Sequence, residues 1–94
     1  MNKGINEMEI TLTSIENGAI RFYGDDLQLI GFGNSAHYLA DLIRRFGGGR
    51  PGWKMMSSSL FIEALNGCDD AAEEGGFNNA KEVADLWKEV CDYV

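Results

Sequence analysis

Apolar residues in this 94-residue chain recur at every second position up to Phe32 and at helical spacing from Leu39 to Phe46 and from Ala80 onward. That change of period within one short chain is the pattern of an α+β fold. Met8-Glu9-Ile10-Thr11-Leu12-Thr13 alternates apolar and polar, the period of a half-buried strand, and its β-branched Ile10, Thr11 and Thr13 suit a pleated surface. Glu16-Asn17-Gly18 is a hairpin signal, and Ala19 to Tyr23 is the return strand, with Ile20 and Phe22 on one face and Arg21 and Tyr23 on the other. Two turns compete. A two-residue Asn17-Gly18 turn sets Leu12 opposite Tyr23 and Ile15 opposite Ile20. A three-residue loop with Gly18 left-handed sets Leu12 opposite Phe22. The second keeps Met8, Ile10, Leu12, Ile20 and Phe22 on one face, so the three-residue loop with a bulge is expected.

Gly24-Asp25-Asp26 reads as the next turn, and Leu27 to Phe32 as a third, more apolar strand that should be central or best covered. The spacing then becomes helical. Asn34 or Ser35 can cap a helix whose face is Leu39, Leu42, Ile43 and Phe46, with Arg44 and Arg45 in its last turn and Gly47 as a left-handed stop. Gly47 to Gly52 is a connector. Ser57-Ser58-Ser59 followed by Leu60 to Leu65 and Asn66-Gly67 fits either a short helix or a fourth strand. Cys68 to Gly76 reads as an acidic loop. Asn79, with Glu82 three residues on, opens a last helix along Ala80, Val83, Ala84, Trp87, Val90, Cys91 and Val94. The expected architecture is α+β in a single domain, residues 1–94. It has a three-stranded antiparallel sheet packed by one helix, then a short helix or strand and a C-terminal helix.

Charge sharpens the functional reading. Residues 1 to 54 hold six basic and six acidic residues, whereas residues 55 to 94 hold nine acidic residues against Lys81 and Lys88, so the whole net charge of -7 lies in the second part. A basic stretch runs from Arg44 to Lys54 with four positive charges and no negative one. Net acidity argues against direct nucleic-acid binding, which needs surplus Lys and Arg to neutralise phosphates. No apolar run approaches the roughly 20 residues of a membrane helix, and the first residues lack the apolar core of a signal peptide, so a cytoplasmic protein away from membranes is expected.

The candidate chemical motifs fail on spacing. Gly47 and Gly52 stand as far apart as the glycines of a phosphate loop, but Trp53 follows them, Lys54 comes one place late, Met55 replaces the hydroxyl residue and the loop follows a helix. The run Asp69-Asp70-Ala71-Ala72-Glu73-Glu74 pairs its acids, whereas a calcium loop alternates its ligands. Cys68, Cys91 and the single His37 do not form a zinc pattern. Cys91 falls on the apolar face of the last helix and is expected to be a small buried hydrophobe, and a Cys68–Cys91 disulfide stays open. No catalytic, cofactor-binding or metal-binding residue is assigned, and the chain is not expected to be an enzyme. The acidic run instead suits a contact surface for a basic protein, because long-range attraction raises encounter rates. Asp69, Asp70, Glu73 and Glu74 are its candidate charges, and Trp53 and Phe77 its candidate apolar anchors. Two other classes remain: a small ligand-binding or enzymatic domain using His37 with Asp41, and a homodimer or larger homo-oligomer joining the basic loop of one copy to the acidic stretch of another.

From Ile20 to Phe46 the chain resembles small bacterial immunity proteins, in which a strand ending in glycine leads into a short amphipathic helix, here with Leu39-Ala40-Asp41-Leu42 at its core. The resemblance implies a stoichiometric inhibitor that blocks a cognate toxin, commonly a basic nuclease. Phage anti-CRISPR proteins are similar in size and charge, which implies a related mechanism, occupation of a nucleic-acid-binding effector.

Overall fold

The computed structural model describes residues 8–47 and 56–94. Trp53, like Arg50 and Lys54, lies outside the described residues.

The fold is α+β, with a four-stranded mixed sheet and four α-helices among the described residues. β1 (Leu12–Glu16), β2 (Ala19–Tyr23) and β3 (Leu29–Gly33) form an antiparallel meander. The long excursion through the first helix and the connector then lets β4 (Met56–Ser57) return parallel to β1. The sheet order is β3-β2-β1-β4, one strand more than expected. β3 is therefore an edge strand rather than the central one, with Leu29 39% and Phe32 51% exposed.

The hairpin adopts the tighter of the two turns. Asn17 and Gly18 both have positive φ, 55° and 77°, and Glu16 pairs with Ala19, Ile15 with Ile20 and Leu12 with Tyr23. Two left-handed residues in succession match the right-handed twist of the flanking strands, and Asn-Gly is the pair that tolerates them. The buried face is then Thr13, Ile15, Ile20 and Phe22, with Ile10 buried as well. Ile10 and Thr13 share a face because the strand is bulged between them. The Thr11 N–H donates to the Tyr23 carbonyl although Leu12 is the residue paired with Tyr23. Between β2 and β3, Asp25–Leu27 forms a 3-10 turn with Asp26 and Leu27 at positive φ, so β3 starts two residues later than its apolar run.

α1 (Ala36–Phe46) is capped by Ser35, whose hydroxyl accepts from the Tyr38 N–H, and buries Leu39, Ala40, Leu42 and Ile43. Gly47 ends it at φ -80°, so it is not a left-handed stop. What glycine provides there is space, since a Cβ would strike the Ile43 carbonyl. The ambiguous segment 57–65 holds both alternatives in turn: β4, then α2 (Ser59–Leu65), with the Ser58 hydroxyl accepting from the Phe61 N–H at 3.1 Å. The expected acidic loop is a helix, α3 (Asp69–Glu74), and α4 (Ala80–Tyr93) follows.

α2 and α3 end in the same hydrogen-bond pattern. Gly67 N–H donates to Ala64 and Cys68 N–H to Glu63; Gly76 N–H donates to Glu73 and Phe77 N–H to Ala72. Both glycines are left-handed, at φ 101° and 88°. This closure satisfies the last carbonyls of each helix and turns the next residue back onto it. Gly75 and Gly76 also dock on the hairpin, where Gly18 N–H donates to the Gly75 carbonyl at 2.8 Å. The helices cover one sheet face. Trp87 of α4 joins the layers, edge-on to Phe22 of β2 at 6.3 Å and to Phe61 of α2 at 5.2 Å between ring centres.

Gly76 combines positive φ with backbone contact, because a Cβ there would meet the backbone of Asn17 and Gly18. We expect Gly76→Ala to destabilise the fold by roughly 1–3 kcal/mol. The denaturant midpoint should fall with an unchanged slope.

Candidate functional site

The second part of the chain presents its acids on helices. On α3, the sequence Asp69-Asp70-Ala71-Ala72-Glu73-Glu74 turns its two alanines into the core, 3% and 0% exposed, and leaves its four acids in solvent. A helix of six residues is not stable alone. It forms here because Ala71 and Ala72 are covered and because both ends are tied to neighbouring structure.

The nine acids of residues 55 to 94 divide by what they touch. Asp69 is a capping residue, its Oδ1 accepting from the Ala80 N–H at the start of α4 at 2.8 Å. Asn79 accepts from the Glu82 N–H at 2.9 Å, and the Glu82 carboxylate reaches back to the Asn78 N–H at 2.8 Å. This is the expected capping box shifted by one residue, since Glu82 takes the Asn78 N–H and Asp69 holds that of Ala80. Asp85 pairs with Lys81 at 2.6 Å and Asp92 with Lys88 at 3.6 Å, each one helical turn apart. That leaves Glu63 on α2, Asp70, Glu73 and Glu74 on α3, and Glu89 on α4. None of these five has a cation or a hydrogen-bond donor at its carboxylate among the described residues. A shallow depression of about 470 Å³ on α4 is bordered by Asp85, Lys88, Glu89 and Asp92 around Leu86.

The apolar anchors differ from expectation. Phe77 is 7% exposed and belongs to the core, because the left-handed turn at Gly76 folds it back onto α3. It cannot reach a partner as an exposed anchor. On α2, Ile62 is 44% exposed and adjacent to Glu63. Its signal was present in the run Leu60-Phe61-Ile62: helical spacing buries Phe61 and Ala64 on one side and sends Ile62 to the other.

The alternative pair does not meet. The His37 ring stacks on Tyr93 of α4, with ring centres 3.9 Å apart, while the Asp41 carboxylate lies 3.4 Å from Arg45 and 3.9 Å from Arg44. Arg44 also donates to the Tyr93 carbonyl, so these residues fasten α1 to the end of α4. Cys68 and Cys91 are both free and exposed, and the buried position expected for Cys91 is taken by Val90. Partial burial against the helix, and secondarily the Asp92 charge, hold the Cys91 thiol above its ordinary pKa. A polar cleft of about 390 Å³ lies where Asn17, Asn34, Asn78 and Glu82 approach one another above Leu86. Its donors are mostly neutral carboxamides, and Glu82 is already engaged in capping. Among the described residues no group of three or more His, Cys, Asp or Glu side chains could hold a metal ion, and no helix is long and apolar enough to cross a membrane. Comparison with family models, with curated protein sequences and with solved structures finds no match for this chain.

Asp69→Ala should lower stability by about 0.5–2 kcal/mol, the range for loss of a helix cap. Lysine at Asp70, Glu73 or Glu74 should stay within about 0.5 kcal/mol of the parent in denaturant melts. In a Cys68→Ser background, the alkylation rate of Cys91 should rise with pH through a midpoint above that of a free thiol. A midpoint at or below the free-thiol value would mean that neither burial nor Asp92 acts on it.

Proposed function

We propose that this chain is a stoichiometric protein-binding inhibitor whose acidic α2–α3 face captures a basic partner. The form we put first is an immunity protein that neutralises a nuclease-type toxin in the cytoplasm. A phage inhibitor of a nucleic-acid-binding effector would use the same face. The observation that carries the reading is the division of the acids. Four carboxylates on consecutive helices, Glu63, Asp70, Glu73 and Glu74, are exposed and lack a cation among the described residues.

Such a layout has a physical consequence for association. Unpaired carboxylates of one sign on two helices packed together raise the local potential, which steers a basic protein and orients it before contact. Asp69 and Glu82 add to that potential, but they are held by the backbone at the start of α4 and so are not free to rearrange toward a partner. Ile62 beside Glu63 offers an apolar centre, and burial of such a residue within a charged rim supplies the short-range contact that electrostatics lack. The reading assigns no chemistry to the chain itself: its effect on the partner is occlusion.

The test is affinity capture of a basic protein from the native cell, followed by association kinetics with the purified partner. The Asp70→Lys, Glu73→Lys, Glu74→Lys triple variant should slow association by about tenfold or more at low ionic strength, with dissociation changing less. The difference should shrink as salt rises, because screening shortens to about 10 Å at 0.1 M. Ile62→Ala should instead speed dissociation. Equal capture and equal association rates for parent and triple variant would remove the acidic face from the binding reaction.

A further inference from the structure

We infer that the exposed edge of β3 is a self-association surface, on which a second copy of this chain pairs antiparallel and extends the sheet. The inference does not depend on the acidic face.

Of the eight large apolar side chains left exposed among the described residues, four gather at one place, while Met56, Ile62, Tyr93 and Val94 lie elsewhere. Leu27 is 69% exposed, Leu29 39%, Phe32 51% and Tyr38 47%, and all four lie along this one edge. Leu27 precedes the strand, and Leu29 and Phe32 stand on the outer sheet face across from Tyr23 and Arg21. Tyr38 lies against Gly33 from the α1 side. Together they expose roughly 400–500 Å² of mostly apolar surface, the size of the largest patch on a typical monomer. With the strand backbone between them, that is over half of the about 800 Å² per partner in a standard interface.

The backbone is turned the same way. The two-residue turn makes Glu16 and Ala19 a hydrogen-bonded pair. Alternation then directs the hydrogen-bonding groups of Ile20 and Phe22 toward β3, where they pair with Gly33 and Gly31. The N–H and C=O of Phe32 therefore point away from β2. No further strand pairs with β3 among the described residues. Edge strands are ordinarily blunted by charge, proline or shortness. The opposite edge, β4, is only two residues long. The ten residues from Leu27 to Ala36 contain neither a charge nor a proline.

The uncharged edge is where a second copy of this acidic chain meets the least repulsion. Each copy carries -7, so contact through α2 to α4 is repulsive. α2 packs against β1, whereas the helix packed on β3 is α1, where Asp41 is offset by Arg44 and Arg45; of the acids on α4, Glu82 approaches Asn34 after β3 but is engaged in capping. On the outer face, Arg21 is paired with Glu16 at 3.4 Å and lies over the Phe32 ring. Two-fold pairing centred on Phe32 places the two Phe32 rings as cross-strand neighbours. It also sets the Asp25-Asp26 end of one copy beside the start of α1 in the other, where the helix dipole favours negative charge.

The experiment is analytical ultracentrifugation over a wide concentration range at low and high salt, with hydrogen exchange read at the Phe32 amide. A dimer that persists in high salt is expected, with the Phe32 amide gaining protection as dimer forms. Phe32→Glu, whose carboxylate can pair with Arg21 within the copy, should weaken dimerisation by about tenfold or more through like charge at the axis. Leu29→Thr, which keeps strand propensity, should weaken it less, and thermal melts of both variants verify folding. Three results would overturn the inference: a monomer at every concentration, a dimer that dissolves in salt and ignores Phe32→Glu, or a Phe32 amide already protected in the monomer. The second would indicate contact between basic loop and acidic helices, and the third that this chain covers its own edge.

Discussion

The packing of Trp87 between Phe22 and Phe61 is the contact on which the two layers depend. Phe22 comes from the second strand, Phe61 from a seven-residue helix and Trp87 from the last helix, so one indole connects three segments far apart in sequence. Both pairs are edge-to-face, which suits the ring quadrupoles and adds to the burial term. A sheet with helices on one side can bury only one face. Its apolar content must therefore turn the same way, and what turns the other way is left for a partner. Phe22, Ile20 and Ile15 are inside; Phe32, Leu29 and Met56 are outside.

The helical layer holds its shape through its ends more than its lengths. α2 and α3 are too short to be stable in isolation. Each is closed by a left-handed glycine followed by a residue that bonds back to the helix, Cys68 in one and Phe77 in the other. Asp69 then stops the first free N–H of α4, and Gly75 meets the hairpin turn. Acids thus serve two purposes in the same short segment. Asp69 holds the chain together, while Asp70, Glu73 and Glu74 define the electrostatic face on which the proposed inhibitor function rests.

Much of this was legible in the residues. Ser35, Asn79 and Glu82 announce helix starts because their side chains can accept or return to backbone N–H groups, and the structure uses all three. The face of α1 follows from the spacing of Leu39, Leu42 and Ile43. The acidic α3 was less legible. Paired acids with no long apolar run look like solvent-exposed loop, and the helix exists only because two alanines find cover. Phe77 and Cys91 exchanged expectations for a similar reason. A left-handed turn carries Phe77 inward, and α4 turns Val90 rather than Cys91 toward the core.

The residues alone determined the α+β class, the order of the first three strands and α1, the positions of the caps and the concentration of negative charge in the second part. These are local properties: side-chain period, hydrogen bonding within three residues and the count of ionised groups. Tertiary structure alone decided the hairpin register, the burial of Thr13 in place of Leu12, the parallel fourth strand and the edge position of β3. The fourth strand and the edge position of β3 depend on contacts between segments distant in sequence, and in the hairpin a shift of one residue exchanges the faces of a strand. Which of the nine acids are held and which stand free is likewise a matter of where α4 begins in space, beside Asp69.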